Sequence, residues 1–424
     1  MVNRVQVTQG TMGLIVAALL TKFMLLQLGP DGVGWLPDWT SLNHTANAST
    51  YYNPEEWADH VWKNKYDLVH IIQTDLLRYQ QDMVHLGKAR LELFETFTLP
   101  SMLQQTNKQF LWIIYSDPNL NTEFKGHLLK LVEDIPNIVV IGHHRIEKHD
   151  FRTLHGMDLN ILGDNIVSGD PRLLIDYYRA AQSHILIETR LDADDALSKH
   201  FVESMQGQAA TTIGLSTDRL DYRVYCAENH MEWRYYPPAD NATDPIGHVV
   251  HYNNPEFCVN SGLTIGYQLD AGIRHLIHTE QCYFAFWMNS CGDQPMQIYY
   301  EGGRMQHRCL ARIFMPDQSD NVVFMSRSPT AAGMKHVLGT GYDAPYSNTF
   351  ETSAGQNTAW NLALEDFGVV KSKVSELKNR FEKNIENILH EALLGQCTPG
   401  HSCKDSSKKK LGHLLEEARS RNRD

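Results

Sequence analysis

The chain lacks an excess of positive charge: 38 Lys and Arg stand against 50 Asp and Glu, for a net charge of −12 and a pI near 5.9. That excludes nucleic acid as a partner, because phosphate affinity needs a clustered Lys/Arg surface. It does not exclude a small anionic ligand, whose phosphates local arginines or a metal can neutralise. The seven cysteines (Cys226, Cys258, Cys282, Cys291, Cys309, Cys397 and Cys403) follow no zinc-binding spacing, which removes a zinc module; they permit disulfides plus one free thiol. No internal repeat runs through the 424 residues, so a solenoid or propeller is excluded.

One apolar run stands near the N-terminus. Residues 11–28, TMGLIVAALLTKFMLLQL, carry a single charge, Lys22, and match the length needed to cross a hydrocarbon core. Lys22 can snorkel toward the headgroups. Arg4 precedes the run while Asp31 and Asp38 follow it, and no small-x-small cleavage site comes next. The expectation is an uncleaved type II anchor that places the body in the lumen. Three acceptor patterns for N-glycosylation agree with that side: Asn43-His44-Thr45, Asn47-Ala48-Ser49 and Asn241-Ala242-Thr243. The expected partition is a tail at 1–10, an anchor at 11–29, a Pro- and Asn-rich stem at 30–65, a catalytic body at 66–368, an amphipathic helix at 369–395 and a Lys-rich tail at 396–424.

Within the body, four short apolar runs read as strands: 68–74, 110–116, 137–141 and 184–189. Helical patterns separate them: one through Leu86, Ala89, Leu93 and Phe97 that Pro100 stops, one from Phe124 to Val132, and one beginning at Pro171. Alternation of this kind predicts an α/β fold with a mostly parallel sheet flanked by helices and ligands at the carboxyl ends of its strands. Beyond Gly214 the pattern is irregular, as suits an acceptor-binding face.

The fourth strand runs straight into Arg190-Leu191-Asp192-Ala193-Asp194-Asp195. Three carboxylates so close repel one another, and a hard cation such as Mn²⁺ or Mg²⁺ removes the repulsion while leaving positions open for substrate phosphates. Asp192, Asp194 and Asp195 are therefore the expected metal ligands, with Asp192 also placed for ribose hydroxyls. An acidic cap on the following helix is the plainer alternative. Asp117, at the end of the second strand, is either a nucleotide contact or a turn former. Arg152 and Arg190 can hold a diphosphate through paired hydrogen bonds or can equally pair with a structural carboxylate. Arg90 reads as an ion-paired helix residue, and His307 as a structural histidine or a late metal ligand. Trp233, Tyr235 and Tyr236 can stack on a sugar or pack in a core. Ser261-Gly262-Leu263 reads as a tight acceptor-side loop.

The stretches LVHIIQTDLLRYQ, LGKARLELFETFTLPSMLQQTNKQFLWIIYSDPNL, ETRLDADDAL, FCVNSGLTIGY and MSRSPTAAGM, taken in that order, resemble the putative rhamnosyltransferase family, over roughly residues 67–337. The resemblance implies a glycosyltransferase-A-like fold and transfer of a sugar from a nucleotide-sugar donor to a glycan or other hydroxyl acceptor, while the apolar anchor and the acceptor patterns carry the expectation of the Golgi or another secretory membrane. The resemblance also sets Asp192, Asp194 and Asp195 at the family's metal and donor motif. An inverting transfer needs a base, for which Asp293 and Glu280 are the candidates; a retaining one does not. A non-catalytic lumenal carbohydrate-binding protein on the same fold is the alternative.

Overall fold

The computed structural model describes residues 66–76, 83–117, 119–142, 166–181, 184–214, 222–227, 229–235, 246–253, 261–268, 296–301, 304–309, 313–314, 323–328, 349–350 and 355–395. The chain divides into two units, Met1–Tyr51 and Tyr52–Asp424, and every described residue belongs to the second. The expected anchor, stem and Lys-rich tail, the three glycosylation patterns, and the side chains of Arg152, Tyr236, Glu280, Asp293 and His307 lie outside the described residues. Among the described residues no helix is long and apolar enough to cross a membrane.

The four apolar runs form the centre of one sheet. They are β1 (Leu68–Asp75), β2 (Leu111–Ser116), β3 (Ile138–Gly142) and, after the short β4 (Ile166–Ser168), β5 (Ile185–Arg190). Helices α1 (Val84–Leu93), α2 (Leu99–Leu103), α3 (Thr122–Val132) and α4 (Pro171–Ala181) connect them. Their side chains are buried along nearly the whole strand, as in a parallel sheet covered on both faces. Pro100 does not stop the first helix as its sequence suggests. The chain passes without a break through a π turn at Phe94–Thr98, where the Leu99 N–H bonds to the Phe94 carbonyl, and continues as α2 with Pro100 inside the helical run. Asn121 caps α3 by accepting the Glu123 N–H at 2.9 Å.

Beyond Arg190 come β6 (Ala196–Leu197), α5 (Phe201–Ala209), β7 (Tyr222–Cys226), β8 (Asn229–Arg234), β9 (His248–Asn253) and β10 (Thr264–Gln268). A hairpin of β11 (Met296–Glu301) and β12 (Arg304–Cys309) follows, then β13 (Ile313–Phe314), β14 (Val323–Arg327) and β15 (Thr349–Phe350). Helices α6 (Gly355–Phe367) and α7 (Lys371–Gly395) close the described chain. The large sheet has the order β13-β7-β10-β5-β1-β2-β3-β4, and a smaller one the order β15-β9-β8-β14-β6. The large sheet is mixed: β5, β1, β2 and β3 are parallel, while β10 and β4 run against their neighbours.

Among the described residues two apolar cores hold these layers. One joins the large sheet to α3 and α5 through Trp112, Phe124, Leu128, Phe201 and Met205. The other lies between the smaller sheet and α7, whose Val374, Leu377, Phe381, Ile385, Ile388 and Leu389 form the apolar stripe that the sequence predicts. Polar contacts fix α7 against α1: Glu391 accepts the Leu86 N–H at 2.7 Å, satisfying an open donor at the helix start, and Arg380 meets Glu92 at 3.2 Å.

A buried polar chain ties β1, β5 and β10 together. The His70 Nε2 lies 2.9 Å from Thr189 Oγ1, which lies 2.6 Å from Thr264 Oγ1, and Thr264 donates to the Gly262 carbonyl at 3.1 Å. The His70 Nδ1 is buried without a hydrogen-bond partner, so the ring is held neutral, and burial pushes its pKa down to about 3. A folded-state pKa below the unfolded value of about 6.5 means that acid favours the unfolded chain. The His70 contribution to stability is therefore full above about pH 6.5 and declines as the pH falls toward 3. In denaturant melts at pH 7 and pH 4.5, His70→Asn should be less stable than wild type at pH 7 and lose less on acidification. Equal losses in both proteins would contradict this account of His70.

Candidate active site

Strand order places the site. From β1 the chain steps outward through β2 to β3, then returns to set β5 on the other side of β1. Such a reversal opens a crevice between the carboxyl ends of β1 and β5, where ligands bind in open α/β sheets. Gln73 and Arg190 are register partners across it, and the Gln73 amide donates to Glu188 Oε1 at 3.0 Å. Asp75 closes β1 at this edge, and the 190–195 run leaves β5 there.

Arg190 bridges the crevice. Its Nε donates to Asp192 Oδ1 at 2.9 Å, and its Nη1 lies 3.5 Å from Asp75 Oδ2. Arg90 reaches the same carboxylates from α1. Burial lowers its pKa, and attraction to Asp194, Asp192 and Asp75 works against that lowering. Three aspartates from two strand ends thus face two arginines from a helix and a strand. Asp192 and Asp194 are half-exposed, open to a ligand entering the crevice.

Asp195 stands apart from them. It is 3% exposed, and its Oδ1 accepts the Ser326 N–H of β14 at 2.8 Å. Its own N–H bonds to the Asp192 carbonyl at 3.1 Å, closing the turn that presents Asp192 and Asp194. Asp117 sits at the end of β2 and spends its Oδ1 on the Asn119 N–H at 2.8 Å, the turn-forming arrangement. Gly262 has φ +74, and a Cβ there would lie 2.7 Å from Val323 Cγ2, so the position requires glycine. Its N–H bonds to the Arg190 carbonyl at 2.7 Å, and the Arg190 N–H to the Leu263 carbonyl at 3.0 Å, which locks the 261–263 loop onto the crevice. Trp233 and Tyr235 are buried in the second core, so they pack rather than stack on a sugar.

Spacing along the sequence does not single out Asp75, although it ends the first strand of the series, and it leaves Arg90 as a surface or ion-paired helix residue. Helical periodicity puts Arg90 on α1 but says nothing of the strand ends that it faces.

A mixed α/β sheet with a charged crevice at its switch point defines the class of fold and site. The chain matches the family model described as "Putative rhamnosyl transferase" over residues 77–154 and 172–231, the second segment spanning the aspartate run. Those two segments cover about a third of the chain, and over them it is similar to that family of glycosyltransferases. Similar solved structures include an active-site mutant of LgtC, at 10% identity over 72% of this chain and 98% of that one, with a TM-score of 0.24. They also include the glycosyltransferase GlyE of Streptococcus pneumoniae TIGR4, at 12% identity over 75% of this chain and 64% of that one, with a TM-score of 0.22. The galactosyltransferase LgtC with donor and acceptor sugar analogues has 11% identity over 74% of this chain and 96% of that one, and a TM-score of 0.20. No curated protein matches the chain.

Proposed function

We propose that the chain is a metal-dependent glycosyltransferase that moves a sugar from a nucleoside-diphosphate donor to a hydroxyl of a glycan or other acceptor. Rhamnose is the sugar that the family's name carries. The observation that supports this reading most is the bridge from Arg190 to Asp75 and Asp192 at the β1–β5 switch point, with Arg90 and Asp194 beside it.

Charge decides how a donor would be held. Three aspartates and two arginines leave the crevice one formal negative charge, and a diphosphate would add about two more. A divalent cation relieves that excess. Among the described residues no three His, Cys, Asp or Glu side chains converge to hold a metal unaided. The residues fit a site that substrate completes: Mg²⁺ and Mn²⁺ sites commonly use one or two carboxylates together with substrate phosphates. Asp192 and Asp194 are the ligands best placed for it, with Asp195 behind them fixing their turn. When bound, the cation would supply charge neutralisation to the departing diphosphate. Arg190 and Arg90 would turn from the carboxylates toward the phosphates, with Arg152 as a further contact, and Asp117 would border the base at the end of β2. Asp293 and Glu280 remain candidate bases.

A panel of UDP-, GDP- and dTDP-sugars, incubated with the full chain with and without Mn²⁺, tests the reading through release of nucleoside diphosphate. Release from at least one donor, dependent on metal, is expected; no release from any of them would sink it.

The same reading places the enzyme in a Golgi or other secretory membrane, anchored through residues 11–29 with its body in the lumen. The apolar run and the acceptor patterns at Asn43, Asn47 and Asn241 support that placement. Endoglycosidase treatment of the cellular protein should sharpen and speed its band on a gel. A band that does not move argues for the cytosolic side.

A further inference from the structure

Strand β8 carries a row of ionisable residues that the donor site does not use. Met231 and Trp233 turn into the second core, so His230, Glu232 and Arg234 face the other way. Glu232 is 1% exposed, with the His230 Nε2 at 3.8 Å from one carboxylate oxygen and the Arg234 Nε at 3.9 Å from the other. His248, also buried, is the register partner of Arg234 on β9.

Two paths bring this row to the donor crevice. The first is register. Leu197 of β6, Val323 of β14 and His230 of β8 lie abreast. Because β6 runs against β14 while β8 runs with it, two residues back from Leu197 and two forward on the other strands reach Asp195, Met325 and Glu232, again abreast. The Ser326 N–H bonded to Asp195 confirms that Asp195 lies along this part of β14. One strand stands between Asp195 and Glu232, so their backbones are two strand spacings apart, about 10 Å. The second path is the 261–263 loop. Gly262 is bonded to Arg190 and packs against Val323 and Leu197, on the same sheet face as Glu232.

We propose that Glu232 is the general base of the transfer, an assignment that rests on the glycosyltransferase reading above. In that step the acceptor hydroxyl gives its proton to a Glu232 oxygen and its oxygen bonds to the anomeric carbon. The bond from that carbon to the diphosphate oxygen breaks, and the electron pair leaves with the nucleoside diphosphate. Glu232 then returns the proton to solvent. Attack from the face opposite the leaving group inverts the anomeric centre.

The test uses the full chain, a donor from the panel that wild type turns over, and azide, an anionic nucleophile that needs no deprotonation. Glu232→Gln should lower nucleoside-diphosphate release by about 100-fold or more. Its Mn²⁺-dependent affinity for the nucleoside diphosphate should stay within about 3-fold of wild type, and azide should restore release. Should Glu232→Gln fail to fold, Glu232→Asp supplies the same comparison, with a partial loss that azide restores. Release within about 3-fold of wild type overturns the assignment, as does a loss that azide leaves in place. So does azide rescue in Glu280→Gln or Asp293→Asn but not in the Glu232 variant. A wild type that binds no nucleoside diphosphate overturns the underlying reading, and this assignment with it.

Discussion

Asp194→Ala should lower donor turnover by about 10³-fold while the protein stays folded. The cation that Asp194 would help to hold is worth several kcal/mol of transition-state stabilisation, and each 1.36 kcal/mol is a factor of ten. Asp194 is half-exposed at the crevice, where its removal leaves no cavity in the core. Asp195→Ala makes the informative contrast. It strips the acceptor from the buried Ser326 N–H and should reduce unfolding free energy by about 1–3 kcal/mol, whatever it does to turnover. Turnover in the presence of Mn²⁺ and denaturant melts on both variants separate the two roles. Full activity in Asp194→Ala would place the metal elsewhere.

Trp233→Ala should cost about 3–5 kcal/mol of stability, the range for removing a large buried aromatic. The Trp233 side chain is fully buried, with its ring centroid 5.1 Å from that of Phe97 and 5.9 Å from that of Tyr235. Its Nε1 donates to the Ile246 carbonyl at 2.9 Å, so truncation also leaves that acceptor unmatched. Gly247 packs so closely that a Cβ there would lie 2.5 Å from the same nitrogen, which shows how little slack surrounds the ring. Urea unfolding read by far-ultraviolet circular dichroism measures the loss. A change below about 1 kcal/mol, coupled with weaker acceptor binding, would return Trp233 to the sugar-stacking role that its sequence also allows.

The contrast among these residues shows what a sequence can carry. The parallel strands were legible because burial on both faces writes itself as unbroken apolar runs, as in 110–116 and 137–141. Helix α7 was legible because one apolar stripe repeats through Phe381, Ile385 and Ile388. Strand β4 was not, being three residues long and half-buried, with no period to read. The π turn that carries the chain through Pro100 likewise leaves no sequence signal stronger than the proline itself. In the site, the acidic run could be found from its place after a strand. What divides its members could not, because the partner of Asp195 lies 131 positions away. Asp75 and Arg90 join the site only through the strand order, and Glu232 only through the non-sequential order of the smaller sheet. Long-range pairing of that kind is invisible to local spacing.

The central claim is that the β1–β5 crevice binds a nucleoside diphosphate through a divalent cation. Isothermal titration of UDP, GDP and dTDP into the full chain, first with Mn²⁺ and then with EDTA, measures it most directly. The account predicts saturable binding of at least one of them with Mn²⁺, lost in EDTA and lost in Asp194→Ala. Binding of equal strength in EDTA, or undiminished binding in Asp194→Ala, would contradict it.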